Sequence, residues 1–209
     1  MNSIAHRVAH LLLKAKAVQL NTSEPFTWAS GIRSPIYCDN RKILSFVKIR
    51  DEIKSLLAEK SAEKGGFNLV AGVATAGIPH GVLLADRLGL PFVYVRSKAK
   101  SHGMQSRIEG SFEKGMKVLV VEDLISTGGS SLEAVSALRE AGLEVISVAA
   151  VFTYQLDRAD RNFKDANCNF FTLSDYSSLI EVALRENYIG AEEVERLKTW
   201  RSNPDQWKP

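Results

Sequence analysis

The chain has 209 residues, of which 45% are hydrophobic and 24% are charged, and its formal net charge is +3. This length suits one compact domain with an appendage and excludes a large multidomain assembly. The composition is that of a folded globular protein and excludes an intrinsically disordered one. The small charge excess excludes the broad basic face of a typical nucleic-acid binder, so any anionic partner should be small and locally held.

The cysteines and the longest apolar runs bear on the cellular compartment. Cys38 and Cys168 are the two cysteines, and their wide separation favours a reducing compartment over a disulfide framework. No stretch approaches the roughly 18 apolar residues of a membrane-spanning helix, and the leucine run at 11–13 is too short for a signal peptide. We therefore predict a cytoplasmic protein whose partners include neither a nucleic acid nor a membrane.

The predicted elements begin with an amphipathic helix over residues 4–20, a stretch rich in glycine, proline and aromatic residues over 26–41, and a second helix over 47–60. Continuous apolar runs then predict strands that are buried on both faces; they lie at 69–73, 92–95, 118–121 and 145–152. Helical spacing lies between the first two strands and between the last two, ending near Gly89 and Gly142. This alternation predicts a right-handed parallel α/β sheet. A strand at 170–173 and helices at 179–186 and 192–200 complete the chain.

The segment 96–115 interrupts the alternation, because it has few large apolar residues and is strongly basic; its cationic residues and histidine are Arg96, Lys98, Lys100, His102, Arg107 and Lys114. One strand is predicted within it, around 108–112. A polar segment of this length inside a compact domain is usually an active-site lid or a binding loop. A solvated surface excursion is the alternative.

The segment 118–131 carries the most specific chemistry, because a buried strand leads into two adjacent carboxylates and a turn of small residues that opens a helix. Residues 127–130 would offer main-chain N–H groups and hydroxyls to a phosphate at the helix N-terminus. Glu122 and Asp123 repel a phosphate and instead suit hydroxyl groups or a metal. The combination predicts a ribose 5-phosphate ligand, since neither a P-loop nor a Gly-x-Gly-x-x-Gly turn is present. The alternative is a helix cap followed by two surface acids.

Residues 120–131 resemble the ribosyl-phosphate motif of the type I phosphoribosyltransferases. Residues 26–41 are similar to the hood over the orotate side in the bacterial orotate-using members, and residues 94–103 are similar to their catalytic loop. The resemblance covers nearly the whole chain. It implies an α/β fold of the type I phosphoribosyltransferase class, with a central, mostly parallel sheet flanked by helices and an N-terminal hood.

The resemblance also implies how the chain is organised and what it does. We expect a single domain over 1–209, comprising an N-terminal helix and hood (1–45), a core sheet (65–175) and C-terminal helices (176–209). The implied reaction transfers the 5-phosphoribosyl group of 5-phosphoribosyl 1-diphosphate (PRPP) to orotate, giving orotidine 5′-phosphate and pyrophosphate in pyrimidine (UMP) biosynthesis. Mg²⁺ is the implied cofactor, bound through substrate oxygens without a protein metal cage. A homodimer is also implied, with a loop that reaches the neighbouring subunit's site.

The resemblance assigns most of the PRPP site to the motif after the third buried strand. Glu122 and Asp123 would hold the ribose hydroxyls, and the PRPP-binding residues that follow are Leu124, Ile125, Ser126, Thr127, Gly128, Gly129 and Ser130. Thr75 and Ala76 belong to the matching pyrophosphate loop, 72–79. The residues expected to take part in catalysis are Arg96, Lys100, His102 and Asp123, the first three by covering the diphosphate.

The orotate site is implied less completely. Ser126 and Tyr37 match positions on the orotate side, and Arg158 falls near an arginine that binds the orotate carboxylate in some members. Arg33 or a main-chain amide of the hood is the alternative for that carboxylate. Many members have a lysine where this chain has Ala76 and another where it has Ala29, so those two contacts are not carried over.

Two other functions stay open from the sequence. One is a phosphoribosyltransferase that uses a different base. The other is a non-catalytic regulator that senses PRPP, although such a protein would not need Lys100 and His102, and both are present.

Overall fold

The computed structural model describes residues 3–28, 31–97 and 107–207. Its strands are β1 (Val18–Leu20), β2 (Phe26–Thr27), β3 (Arg33–Ser34), β4 (Ile36–Cys38), β5 (Leu69–Val73), β6 (Phe92–Val95), β7 (Ile108–Glu109), β8 (Lys117–Ile125), β9 (Glu144–Thr153) and β10 (Phe170–Asp175). Six of them form the central sheet in the order β10-β9-β8-β5-β6-β7. All neighbours are parallel except β6 and β7, which are antiparallel.

Helices pack on both faces of this sheet. They are α1 (Ile4–Lys14), α2 (Val47–Ala62), α3 (Gly77–Leu88), α4 (Gly129–Glu140), α5 (Asp157–Asp165), α6 (Tyr176–Arg185) and α7 (Ala191–Ser202), together with a 3₁₀ helix at Asn40–Ser45. No helix in the described ranges is long and apolar enough to cross a lipid bilayer.

The central strands are uniformly apolar because both of their faces are covered. On β8, Leu119 and Val121 belong to the apolar cluster that includes residues of α1, α2, α3 and α6. Val118 and Val120, which point to the opposite face, belong to the cluster that includes residues of α4 and α5. This is the parallel α/β arrangement predicted from the continuous apolar runs.

The prediction of a single helix over residues 4–20 is wrong in its second half. The helix ends at Lys14, Lys16 adopts a left-handed conformation with φ of 51°, and Val18–Leu20 forms a strand instead. That strand pairs antiparallel with Ile36–Cys38, a partner too distant in sequence for helical periodicity to reveal.

Residues 18–28 and 31–45 contain the ribbons β1–β4 and β2–β3 and the 3₁₀ helix, and this part of the chain is called the hood below. Two tryptophans anchor it to the body of the protein. The ring of Trp28 stacks on Tyr154 with 4.9 Å between centroids. Trp200 of α7 is fully buried, and its Nε1 donates a hydrogen bond to the carbonyl of Arg33 at 3.1 Å.

Candidate active site

The carboxyl ends of β5 and β8 create an opening in the sheet. β5 pairs with β8 only as far as Val121, whereas β8 continues beside β9 to Ile125. Glu122 and Asp123 therefore lie inside β8 and not after it, at the point where the neighbouring strand has ended. An open side next to the last residues of a parallel strand is where α/β proteins bind their ligands.

Burial holds back the ionisation of both carboxyl groups, and the neighbouring Asp123 adds to this effect on Glu122. Burial first, and then the neighbouring Asp123 carboxyl, raise the pKa of Glu122 to about 9. Burial also raises the pKa of Asp123 above its usual value. Within the motif, Glu122 Oε1 accepts from the main-chain N–H of Asp123 at 3.0 Å, and its Oε2 accepts from the Ser130 hydroxyl at 3.3 Å. Perturbed carboxyl groups of this kind favour a functional site.

The turn after β8 leads directly into α4, as the phosphate-binding prediction requires. Gly128 has φ of 81°, and a Cβ added to it would lie 2.6 Å from Cε2 of Phe163 in α5. Gly129 begins α4, so the first N–H groups of that helix face the turn without helical partners. The turn therefore has the geometry of an anion-binding helix N-terminus.

Not every residue predicted for this motif offers its side chain. Ile125 is fully buried in the core, so a contact from this position has to come from its main chain. Ser126 and Thr127 are half-buried, while Gly129 and Ser130 are exposed.

The predicted diphosphate loop joins β5 to α3 and abuts β8. Thr75 is exposed, Ala76 is half-buried, and the peptide between Ala74 and Thr75 is cis. Gly77, the first residue of α3, packs so closely on β8 that an added Cβ would collide with the main-chain carbonyl of Val121. The loop is therefore held next to the carboxyl pair by main-chain contact.

Arg96 directly follows β6, next to the loop between β5 and α3 and to the start of α4. A cleft is lined by Ala74 of the diphosphate loop, by Arg96 and Arg107, and by Ser130 and Glu133 of α4. The Arg96 guanidinium pairs with Glu109 at 3.3 Å. Lys100 and His102, predicted to cover the diphosphate, and Ala29 of the hood lie outside the described residues.

The residues predicted for orotate come from different elements. Tyr37 is in β4 of the hood with 38% of its surface exposed, and its ring lies 5.7 Å from that of Phe26. Arg158 is exposed in the first turn of α5, and Ser126 directly follows β8. Arg33 is exposed in β3. No contact joins Tyr37, Arg158 and Ser126 among the hydrogen bonds and ring contacts of the described residues.

Three polar residues at this site are absent from the sequence-based prediction. Asn40 donates from Nδ2 to the main-chain carbonyl of Asp123 at 2.7 Å, and Asn162 donates from Nδ2 to that of Thr127 at 2.9 Å. Arg41, paired with Asp39 at 2.6 Å, places a positive charge that lowers the pKa of Asp123 against the effect of burial. All three lie outside the motif 122–130, so the run of residues that predicts the site does not point to them.

The donor set of the site suits a magnesium ion carried by a substrate. Within the described ranges no group of three or more histidine, cysteine, aspartate or glutamate side chains could hold a metal by itself. The carboxyl groups of buried Glu122 and half-buried Asp123 nevertheless offer oxygen atoms of the kind Mg²⁺ prefers. Mg²⁺ usually keeps substrate phosphates and water among its ligands, so one pair of carboxyls fits it.

Comparisons with known proteins agree with this geometry. The family model of the phosphoribosyl transferase domain matches residues 41–186. An orotate phosphoribosyltransferase from Listeria innocua is 56% identical over 206 residues, which cover 98% of this chain and 99% of the relative.

Solved structures lead to the same family. The orotate phosphoribosyltransferase of Aeropyrum pernix has a TM-score of 0.75 at 29% identity, covering 88% of this chain and 99% of that one. The UMP synthase of Leishmania donovani has a TM-score of 0.81 at 26% identity, covering 94% of this chain, which spans only 42% of that longer one. The relatives in sequence and in structure, together with the carboxyl pair and anion-binding turn at the end of β8, place this chain in the orotate phosphoribosyltransferase family of type I phosphoribosyltransferases.

Proposed function

We propose that this chain transfers the 5-phosphoribosyl group of PRPP to orotate, releasing pyrophosphate, and that the motif 122–130 binds the ribosyl phosphate. The observation that carries this assignment is the carboxyl pair at the open end of β8, followed at once by the turn into α4. In this proposal the turn holds the 5-phosphate and the carboxyls face the ribose hydroxyls. The whole chain, 1–209, acts as one phosphoribosyltransferase domain.

The carboxyl pair suits the charge that develops on the sugar. Breaking the bond between the ribose and the diphosphate leaves positive charge on the ring and negative charge on the leaving group. Because the pKa of Glu122, raised to about 9, leaves this carboxyl protonated at neutral pH, the pair can both donate to and accept from the two hydroxyls. Its remaining negative charge lies beside the ring, where positive charge appears.

In this proposal the diphosphate leaves beside the loop that joins β5 to α3. Main-chain groups near Thr75 and Ala76 hold it, and Arg96 gives up its pairing with Glu109 to contact it. Lys100 and His102 cover it from above and stabilise the negative charge of the leaving group. When bound with PRPP, Mg²⁺ would supply Lewis acidity for the same charge, and the carboxyl groups of Glu122 and Asp123 are the protein oxygens available to it.

Orotate is placed against the sugar from the hood. We assign Tyr37 and Ser126 to the ring and Arg158 to the carboxylate, because an arginine can bind a carboxylate through two parallel hydrogen bonds. Arg33 is the alternative for the carboxylate.

The assay that tests this function follows orotate absorbance in the presence of PRPP and Mg²⁺. We expect consumption with orotate and no pyrophosphate release with uracil or a purine base. Lys100→Ala and His102→Ala should each lose roughly a hundred- to thousandfold in rate, the usual cost of removing one preorganised donor, while melting temperatures stay close to that of the wild type. Turnover with a purine base, or wild-type turnover in both variants, would contradict the proposal.

We further propose a cytoplasmic homodimer in which the loop of each subunit completes the site of the other. Apolar side chains are exposed at the start of α2 and on α3, namely Phe46, Val47 and Val82, at 45%, 58% and 45%. Exposed apolar surface of this kind favours a partner. Mixing an inactive Lys100→Ala protein with an inactive Asp123→Asn protein should then restore part of the activity, whereas mixed dimers that stay inactive would show that each site is self-contained.

A further inference from the structure

Two asparagines outside the substrate motif hydrogen-bond to its main chain. Asn40 Nδ2 donates to the carbonyl of Asp123 at 2.7 Å, and Asn162 Nδ2 donates to the carbonyl of Thr127 at 2.9 Å. Asp123 marks the ribose end of the motif 122–130, and Thr127 lies at its phosphate end. The motif is therefore tied at both ends by side-chain amides from other parts of the chain.

The contact from Asn40 replaces strand pairing that β5 no longer provides. Because β5 pairs with β8 only to Val121, the main chain of Asp123 has no strand on that side. Its N–H donates to Glu122 Oε1 at 3.0 Å, and its carbonyl accepts from Asn40. Asn40 is fully buried, and its Oδ1 accepts from Sγ of Cys38 at 3.3 Å, which fixes the orientation of the amide.

The contact from Asn162 is part of a support beneath the phosphate-binding turn. Phe163, the next residue on α5, fills the space that a side chain at Gly128 would need. Asn162 is half-buried and reaches the carbonyl of Thr127, one residue before that glycine. The turn is thus fixed by an aromatic ring below it and an amide beside it.

Each asparagine belongs to a segment that carries a candidate orotate contact. Asn40 follows Tyr37 by three residues in the hood. Asn162 follows Arg158 by four residues in α5, so the two share one face of that helix. The segments that would receive the base are therefore the segments that hold the main chain of the sugar-phosphate motif.

We propose that Asn40 and Asn162 are positioning residues that fix the orotate-side segments relative to the PRPP motif. This inference rests on the proposed function for the identity of the two substrates. Neither amide touches a reacting atom. Each acts through a main-chain carbonyl of Asp123 or Thr127.

The sharper test uses Asn162, because a half-buried side chain can be replaced with little risk to folding. Asn162→Leu keeps the size and removes the donor, whereas Asn162→Gln keeps an amide. Lys164→Ala, at an exposed position on the same helix, is the control. For Asn162→Leu we expect a five- to tenfold rise in KM for PRPP with kcat within twofold of wild type, because a displaced turn weakens ground-state binding. Asn162→Gln should stay within threefold of wild type, and Lys164→Ala should be unchanged.

Asn40→Leu should act at the ribose end, raising KM for both PRPP and orotate. Because Asn40 is buried, this variant is interpreted only if its melting temperature shows a folded protein; the Asn162 series decides the proposal on its own. Wild-type KM values for PRPP in Asn162→Leu would overturn the proposal. So would equal losses of kcat in Asn162→Leu, Asn162→Gln and Lys164→Ala, which would indicate a general loss of structure.

Calorimetry with PRPP and Mg²⁺, without orotate, separates this inference from the proposed function. A Kd five- to tenfold weaker for Asn162→Leu than for the wild type supports the positioning role even if no base is consumed. An active wild type whose Asn162→Leu variant binds PRPP equally well would leave the proposed function standing and remove the positioning role.

Discussion

Glu122 keeps its proton at neutral pH because burial and the adjacent Asp123 carboxyl raise its pKa to about 9. A protonated acid at this position costs less than two adjacent charges with little access to water would. Cationic charge on a bound sugar would compensate the negative charge that is otherwise unfavourable there. The same property that suits the pair to the reaction therefore makes the stability of the protein depend on pH.

We expect the free energy of unfolding to fall as pH rises from 5 to 8. Between the ordinary glutamate pKa of about 4.5 and the folded value of about 9, the folded state keeps a proton that the unfolded chain has lost. This contribution is complete below about pH 4.5 and is lost at up to about 1.4 kcal/mol per pH unit above it. Glu122→Gln should remove that part of the slope, so its stability relative to wild type should increase with pH in urea unfolding. Glu59→Gln, at an exposed position on α2, is the control, and parallel slopes in all three proteins would contradict the prediction.

Adjacent glycines in the turn between β8 and α4 should respond differently to a single methyl group. Gly128→Ala places a Cβ 2.6 Å from the Phe163 ring on a backbone with φ of 81°, whereas a Cβ at Gly129 has no atom closer than 3.9 Å. We expect Gly128→Ala to lower the free energy of unfolding by about 2–4 kcal/mol through strain and overpacking. Gly129→Ala should stay within about 0.5 kcal/mol of wild type. Urea unfolding of the two variants measures the difference, and equal stabilities would mean that the turn relaxes around Phe163.

The residues of the site were predictable where the chemistry is contiguous in sequence. Glu122, Asp123 and the turn after them form one run, so the ligand class follows from the run itself. Asn40 and Asn162 act over separations of 83 and 35 residues through main-chain carbonyls. Contacts of that kind leave no pattern in the sequence, because any residue supplies the acceptor.

Among the elements, the antiparallel pair β6–β7 closes the base of the segment that carries Lys100 and His102. Tyr94 pairs with Glu109 and Val95 with Ile108, and the N–H of Arg96 donates to the carbonyl of Arg107 at 2.8 Å. Arg107 Nε donates in return to the carbonyl of Arg96 at 3.0 Å. The ends of the segment are therefore joined by the sheet itself.

We expect residues 98–106 to be replaceable by Gly-Asn-Gly without loss of the fold. Shortening a loop with fixed ends changes its closure free energy by less than about 1 kcal/mol, so the melting temperature should move by no more than about 4 °C. Orotate consumption should fall at least as far as in Lys100→Ala, since all the candidate donors of the segment are removed. Differential scanning calorimetry and the orotate assay measure the two effects, and an unfolded variant would show that the segment supports the sheet.

Elements were predictable where burial is uniform and less so where pairing is distant. The four central apolar runs all form strands of the parallel sheet, because strands covered on both faces leave continuous apolar segments. Their ends were less well predicted, and β8 extends through the polar residues Glu122 and Asp123 to Ile125 because β9 still pairs with it. The strand expected over 108–112 is only Ile108–Glu109, since Gly110 turns the chain away with φ of 111°.

On the scale of the whole molecule, the C-terminal helix α7 packs against the hood. Trp200 of α7 bonds the carbonyl of Arg33, and its ring lies edge-on to Trp28 at 5.6 Å and to Tyr154 at 5.9 Å. The hood, which carries Tyr37, is thus held from the C-terminal helices. Binding of the base should therefore depend on a residue far from the sugar-phosphate motif.

Trp200→Phe should lower the free energy of unfolding by about 1–3 kcal/mol, because the partly buried Arg33 carbonyl loses its donor. It should also raise KM for orotate more than KM for PRPP, since the hood carries Tyr37, which we assign to the base. Trp207→Phe, at a half-buried position near the C-terminus, is the matched control and should cost less than about 1 kcal/mol. Urea unfolding and steady-state kinetics test both effects, and equal changes in the two KM values would place the hood outside base recognition.

The close packing of Gly77 on the main chain of Val121 should make the enzyme selective for the length of its phosphoribosyl donor. The loop between β5 and α3, proposed to hold the diphosphate, lies directly against the main chain of β8, which leads into the turn proposed to hold the 5-phosphate. Contact between main-chain atoms sets this spacing. A PRPP analogue with one extra methylene between its two phosphate ends should therefore bind more weakly than PRPP, because the two binding loops cannot move apart. The fixed distance between these two main-chain segments would thus select the length of the donor substrate.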